Sequence, residues 1–270
     1  MSKTVQIDLR QISEESANPA VRKFMQDGSS FALINCLTLG GYEGYALAAE
    51  TENFSWLFVL HPSGFGQFFR AGNLDECFLD FLTECRLNKI VPNYFHLYDF
   101  DESYRLPSVG GFSFKDRTRM QFAYIKESNF RQTEHPSHRI RAATPADSTS
   151  LSQGGLVNWK AFWPDYSSLL EEGVVVVAEN RDGHVDSVCY SAAIDTRCAE
   201  IDVATRSNLQ ALGLGFAVVQ EYCRLCAIRG LIPGWDCFSD NIPSISLAKK
   251  TGFVDPRRYR FLSVFDSSKH

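Results

Sequence analysis

At 270 residues, with 44% hydrophobic and 22% charged side chains, the chain is sized for one large or two modest globular domains. Its net charge of −5 and pI near 5.7 argue against a nucleic-acid partner, which requires a basic face to neutralise phosphates. No apolar run reaches the roughly 20 residues that span a bilayer, and the opening residues hold no apolar leader core, so a cytoplasmic protein without a membrane partner is expected.

Residues 45–50 and 54–60 are apolar runs bounded by turn formers and are predicted strands. His61-Pro-Ser-Gly64 reads as a turn, with 65–70 returning as a hairpin partner. Asn73 caps a predicted helix whose apolar residues Leu74, Cys77, Phe78, Phe81 and Leu82 recur at helical steps. Residues 120–125 form a further predicted strand. The polar stretch 126–138 then marks a boundary, giving an N-terminal α+β domain over 1–130 and a second domain over 131–270.

The second half opens with a strand from Ile140, and Thr144 caps a helix with Pro145 at its first position. Residues 174–178 and 185–194 are strands joined by the turn Asn180-Arg-Asp-Gly183. Residues 199–205 form another strand, a helix runs to Gly230, and 258–265 is expected to close the sheet of this half.

Between that strand and that helix lies Gln210-Ala-Leu-Gly213-Leu-Gly215. A glycine-rich turn entering a helix leaves backbone N–H groups unpaired at the positive end of the dipole, a natural seat for a diphosphate. The dinucleotide fingerprint does not fit, because its third glycine falls on Val218; nor does a P-loop, because Phe216 and Ala217 follow Gly215.

Downstream come Ile232-Pro-Gly-Trp235-Asp-Cys237 and Asn241-Ile-Pro-Ser244-Ile-Ser-Leu247-Ala248, closing on Gly252-Phe253. In order and spacing, residues 140–265 resemble the GNAT superfamily of acyl-CoA N-acyltransferases. Trp235-Asp-Cys, Ser244-x-x-Leu247-Ala248 and Glu200-x-x-Val-x-Thr205 are similar to a bacterial subgroup that includes zwittermicin-type self-resistance acetyltransferases. The resemblance implies an α+β fold with a central mixed sheet flanked by helices. It also implies acetyl-CoA as cosubstrate, no metal, and an amine acceptor, here expected on a small molecule. Two parallel strands would part at mid-length and pair with the pantetheine arm. That places Val203, Ala204 and Thr205 along the arm and Gln210, Ala211, Leu212, Gly213, Leu214 and Gly215 at the pyrophosphate. Asn241 and Ser244 would stand near the arm's far end. The first half is open to two readings: an acceptor-site domain, or a degenerate GNAT-like copy as in tandem relatives.

Glu200 and Asp202 alternate with Ile201 and Val203, so both carboxylates share one strand face and either can serve as the general base; the plainer reading is a polar face contacting a neighbour. The family's thiolate-protonating tyrosine falls on Ala248, which cannot donate, leaving Ser244, Cys237 or solvent. Alternative functions are an acyl-CoA-binding sensor or scaffold without turnover, and an aminoacyl or longer-acyl transferase on a tandem frame.

Eight cysteines include Cys223-Arg-Leu-Cys226, but no second pair completes a zinc site, and the spacing shared with Phe216 and Val219 is that of a helix core face. His135 and His138, flanking Pro136, read as solvated linker. Trp159, Phe162, Trp163 and Tyr166 read as packing or as an acceptor-site lining.

Overall fold

The computed structural model describes residues 4–7, 9, 18–39, 43–52, 55–87, 91–125, 133–153 and 156–268. The chain divides into two compact units, Met1–Arg119 with Arg258–His270, and Met120–Arg257. The expected linker residues 126–132 lie outside the described residues, as does Phe54.

In the first unit the chain runs β1 (Val5–Ile7), α1 (Pro19–Asp27), α2 (Ala32–Leu39), β2 (Tyr45–Glu50), β3 (Ser55–Leu60), β4 (Phe65–Ala71), α3 (Leu74–Leu87) and β5 (Tyr94–Phe100). Strands β1 to β4 pair antiparallel in sequence, and β5 then joins β4 in parallel. Strand alternation sorts the core onto two faces. Phe68 meets Phe78 and Phe81 of α3, whereas its neighbour Phe69 meets Phe24 of α1. The predicted cap holds: Asn73 Oδ1 accepts the Glu76 N–H at 3.2 Å.

The last strand corrects the sequence expectation. β12 (Phe253–Asp266) does not close the second half with its C-terminal portion, because residues 260–265 pair antiparallel with β5. Leu262 and Val264 are buried in the same cluster as Phe58, Phe81 and Leu97, so their apolar area is spent on the first unit's core. An apolar strand pattern identifies a strand but not its partner.

The second unit begins in β6 (Phe112–Tyr124), a longer strand than the predicted 120–125. It continues β7 (Arg139–Ala142), α4 (Ser148–Gln153), α5 (Tyr166–Glu172), β8 (Val175–Glu179), β9 (Val185–Ile194), β10 (Cys198–Thr205), α6 (Leu214–Ile228), β11 (Ile232–Phe238) and α7 (Ile242–Lys250). Its strand order is β6-β11-β10-β9-β8-β7. β7 to β10 pair antiparallel in sequence and β11 joins β10 in parallel. Thr144 starts its helical turn as predicted, with Asp147 Oδ2 accepting both the Thr144 N–H (2.7 Å) and its hydroxyl (3.0 Å).

Each unit is thus α+β with a mixed sheet and flanking helices. The succession is the same in both: a strand, two helices, three antiparallel strands, a helix, and a strand parallel to the one before that helix. No sequence repeat announces this, because the shared feature is topology rather than side chains.

Candidate functional site

The site begins where a ladder ends. β10 and β11 pair only at Cys198–Ile232, Ala199–Pro233 and Glu200–Gly234, although β10 continues to Thr205 and β11 to Phe238. At the same rung the β9–β10 register shifts: Glu200 faces Ala193 and Ile201 faces Ser191, leaving Ala192 as an extra residue in β9. A bulge bends a strand and increases its twist, which accounts for the parting of β10 from β11. Beyond Glu200, β10 keeps its β9 partners and turns its other edge away from β11.

The expected arm residues lie on this unpaired length. Val203 packs half-buried against the α6 core. The Ala204 carbonyl accepts the Ser187 hydroxyl at 3.1 Å, and Thr205 Oγ1 shares a 2.7 Å bond with Ser187 Oγ, which fix the end of β10.

Past Thr205 the chain makes a short helical turn, Ser207–Leu209, and enters α6 through Gly213. Two residues of this turn are left-handed, Ala211 (φ 64) and Gly213 (φ 88). Such a conformation costs a residue with a Cβ about 1–2 kcal/mol, so the Ala211 geometry is held by its surroundings. Ala217 N–H bonds back to the Gly213 carbonyl, and Gly213 has no capping side chain. The N–H groups of Leu214, Gly215 and Phe216 therefore have no intrahelical acceptor and stand at the positive pole of α6. Gln210, Ala211 and Leu212 are exposed on the turn, whereas the Leu214 side chain is buried and leaves only its backbone available. A Cβ on Gly215 would lie 3.5 Å from Thr205 Oγ1 and from the Leu247 side chain, so the end of β10, the start of α6 and α7 converge here.

Asn241 caps α7, its Oδ1 accepting the Ser244 N–H at 3.2 Å. Ser244 Oγ accepts the Trp235 indole N–H at 3.2 Å. Trp235, the first β11 residue past the last shared rung, is buried against Phe253, with ring centroids 5.2 Å apart. Ala248 is fully buried in the same core, so this position holds no proton donor at all.

Glu200 and Asp202 do share a face, the one opposite Ala199, Ile201 and Val203, which pack on α6. Asp202 Oδ2 accepts the hydroxyl of its cross-strand partner Tyr190 at 2.6 Å. Burial, and then the Asp202 charge, push the Tyr190 phenol well above its usual range, so it stays a donor. Half-buried Glu200 flanks Gly234, with its Cγ 3.5 Å from where a Gly234 Cβ would be. Burial, and then the Glu200 charge, raise the neighbouring Cys198 thiol, which makes it a poor nucleophile.

Two sequence expectations need correction. His138 is not solvated: its side chain is 8% exposed and its Nε2 lies 3.0 Å from Asp186 Oδ2. His135 Nε2 lies 3.0 Å from the Leu212 carbonyl, on the glycine turn itself. Nothing local in His135-Pro-Ser-His138 points to a contact 77 residues away. The helix core reading holds for Cys223, Cys226 and Val219, all fully buried, but not for Phe216, which is 40% exposed. Trp159, Trp163 and Tyr166 are buried, with the Trp163 indole donating to the Ser191 carbonyl at 2.7 Å.

Among the described residues, the first unit has no counterpart of this turn. There β4 passes to α3 through Gly72 and Asn73 alone, and Asp75 and Glu76 occupy the helix's first turn. Those carboxylates disfavour an anion at that end. Among the described residues, no group of three His, Cys, Asp or Glu is arranged to hold a metal ion, and no helix is long and apolar enough to cross a membrane.

A model of the GNAT acetyltransferase family matches residues 113–262. The chain is 28% identical over 142 residues to the uncharacterized N-acetyltransferase YdfB of Bacillus subtilis, a match covering 52% of this chain and 54% of that one, so the chain spans about half of that relative's length. Among solved structures, a GCN5-related N-acetyltransferase-like protein from Streptococcus suis superposes with a TM-score of 0.62 at 20% identity, over 90% of this chain and 96% of that one. A tandem GNAT protein from the clavulanic acid biosynthesis pathway, solved without AcCoA, gives 0.56 at 8% identity over 97% and 98%. At those identities the structural likeness is one of fold.

Proposed function

The chain belongs to the GNAT acetyltransferase family, and from that premise we propose that it moves an acetyl group from acetyl-CoA to an amine on a small molecule. The observation that carries this reading is the parting of β10 and β11 after Glu200–Gly234, with the start of α6 at its far end. An unpaired strand edge accepts an extended amide-bearing chain as an added strand, which suits a pantetheine arm along Val203, Ala204 and Thr205. The turn from Gln210 to Gly215 suits the diphosphate, and Asn241 and Ser244 suit the arm beyond it.

The donor supplies an activated thioester carbonyl. Glu200 takes a proton from the acceptor ammonium, directly or through water, and the freed amine attacks the carbonyl carbon as the carbon–sulfur bond breaks. Asp202 is the less suited base, since Tyr190 already holds one of its oxygens. The nitrogen sheds a second proton as the amide forms, and that proton passes to the departing thiolate through solvent or relayed by the Ser244 hydroxyl, which accepts from Trp235 and keeps its own proton to donate.

The burial of Ala248 favours one second reading, a chain that binds acyl-CoA without turnover. Thiol release from acetyl-CoA across a panel of small amines separates the two. Amine-dependent release supports transfer; saturable acetyl-CoA binding with no release on any amine supports the binder; absence of both refutes each.

A further inference from the structure

We infer that His135 is a positioning residue that sets the orientation of the glycine turn for its anionic ligand. The inference rests on the reading of residues 210–215 as a diphosphate seat. The His135 ring comes from the segment before β7, far from the turn in sequence, and its Nε2 lies 3.0 Å from the Leu212 carbonyl oxygen. A carbonyl only accepts, so Nε2 carries the proton and donates. In a trans peptide the carbonyl of one residue and the N–H of the next point to opposite sides, and the described peptides include no cis bond. Holding the Leu212 oxygen towards His135 therefore turns the Gly213 N–H the other way. Gly213, one of the two residues this peptide joins, is left-handed, and so is Ala211 one residue before it. A flip of the peptide would point a carbonyl oxygen where the Gly213 N–H now points, and the donor from His135 opposes that flip.

The segment that delivers the ring is itself fixed. Ahead of His135, the Thr133 N–H lies 3.5 Å from Glu221 Oε2 on α6, a carboxylate already paired with Arg224. Behind it, His138 Nε2 reaches Asp186 at 3.0 Å, and Asp186 also receives Asn180 (2.9 Å) and Arg206 (3.1 Å), the residue that opens the turn. The two imidazoles meet edge to face with centroids 5.4 Å apart. The turn is thus held from its entrance at Arg206 and from its middle at Leu212 by one short stretch of chain. A Cβ on Gly213 would sit 3.7 Å from His135 Nε2, so the imidazole lies directly beside the helix cap.

Two variants isolate the hydrogen bond. His135→Phe keeps a ring against His138 and removes the donor; His135→Gln removes the ring and keeps an N–H donor. Their dissociation constants are measured by calorimetry for CoA and for pantetheine, which lacks the diphosphate and the nucleotide. Loss of one such hydrogen bond weakens CoA binding about threefold to tenfold in His135→Phe. Pantetheine binding is then unchanged, and His135→Gln stays close to wild type for both ligands. The inference is overturned if His135→Phe binds CoA as wild type does, or if it loses CoA and pantetheine in equal proportion, which is the mark of a merely structural residue. A wild-type protein that binds CoA no tighter than pantetheine refutes the diphosphate seat itself, and the role of His135 with it.

Discussion

Glu200 and Gly234 form the last rung that β10 and β11 share, and the side-chain stem of the proposed base stands against a position with no side chain. A Cβ at Gly234 would fall 2.9 Å from Cys198 Sγ, closer than a real contact allows. Gly234→Ala is therefore expected to cost about 1–3 kcal/mol by overpacking, measured by denaturant unfolding. Cys198→Ala in the same chain removes the obstructing sulfur and is expected to restore part of that loss. An additive double mutant would show that the two positions do not press on each other.

The two carboxylates on this face are expected to separate kinetically. Glu200→Gln should lower kcat by about a hundredfold to ten-thousandfold while leaving acetyl-CoA binding intact. Asp202→Asn and Tyr190→Phe disturb one shared hydrogen bond and should give matching, smaller losses. A Glu200→Gln enzyme that turns over at the wild-type rate refutes the assignment.

Restoring the family's tyrosine at Ala248 is expected to fail. Ala248 is fully buried, so a phenol there must displace core neighbours such as Phe253. Ala248→Tyr should lower stability by about 1–3 kcal/mol or more and should not raise kcat. A stable, faster Ala248→Tyr variant would show that the helix can still present that position to the thiolate.

Two buried histidines make the first unit sensitive to mild acid. Burial pulls the His61 imidazole down to about 4; burial, and then the charges of Arg119 and Arg117, do the same to His96. Both are neutral in the fold, so the unfolded chain takes up their protons first as pH falls. Their contribution is fully present above the ordinary histidine value of about 6.5 and is lost between there and about 4. For His61 alone the loss is on the order of 3 kcal/mol. Melting temperature recorded from pH 7 to pH 4 should fall more gently in His61→Gln and His96→Phe than in wild type, and equal slopes in all three would remove the histidines as the cause.

What the sequence revealed and what it hid follow from the range of the interactions involved. The run from Ala199 to Phe253 was readable because its signals are local: apolar alternation in β10, glycines at the entry to α6, an asparagine cap on α7 and a Gly-Phe ending. The shared carboxylate face follows from strand periodicity alone. The rung at which β10 leaves β11 depends on the extra residue Ala192 in a different strand, which no pattern in β10 encodes. His135 was hidden for the same reason, as a polar ring in a polar stretch whose partner is a backbone oxygen. Strand β12 was visible as a strand, yet its partner β5 is set by which core Leu262 and Val264 fill.

A thermal-shift titration with acetyl-CoA, on wild type and on Gly213→Val, tests the site formed by β10, the glycine turn and α6 most directly. At a hundred times its dissociation constant, a ligand stabilises the native state by about 2.7 kcal/mol. Wild type should then melt several degrees higher. Gly213→Val, whose branched side chain opposes the left-handed geometry at φ 88, should shift far less. No shift in wild type, or equal shifts in both proteins, would contradict acyl-CoA binding at this turn.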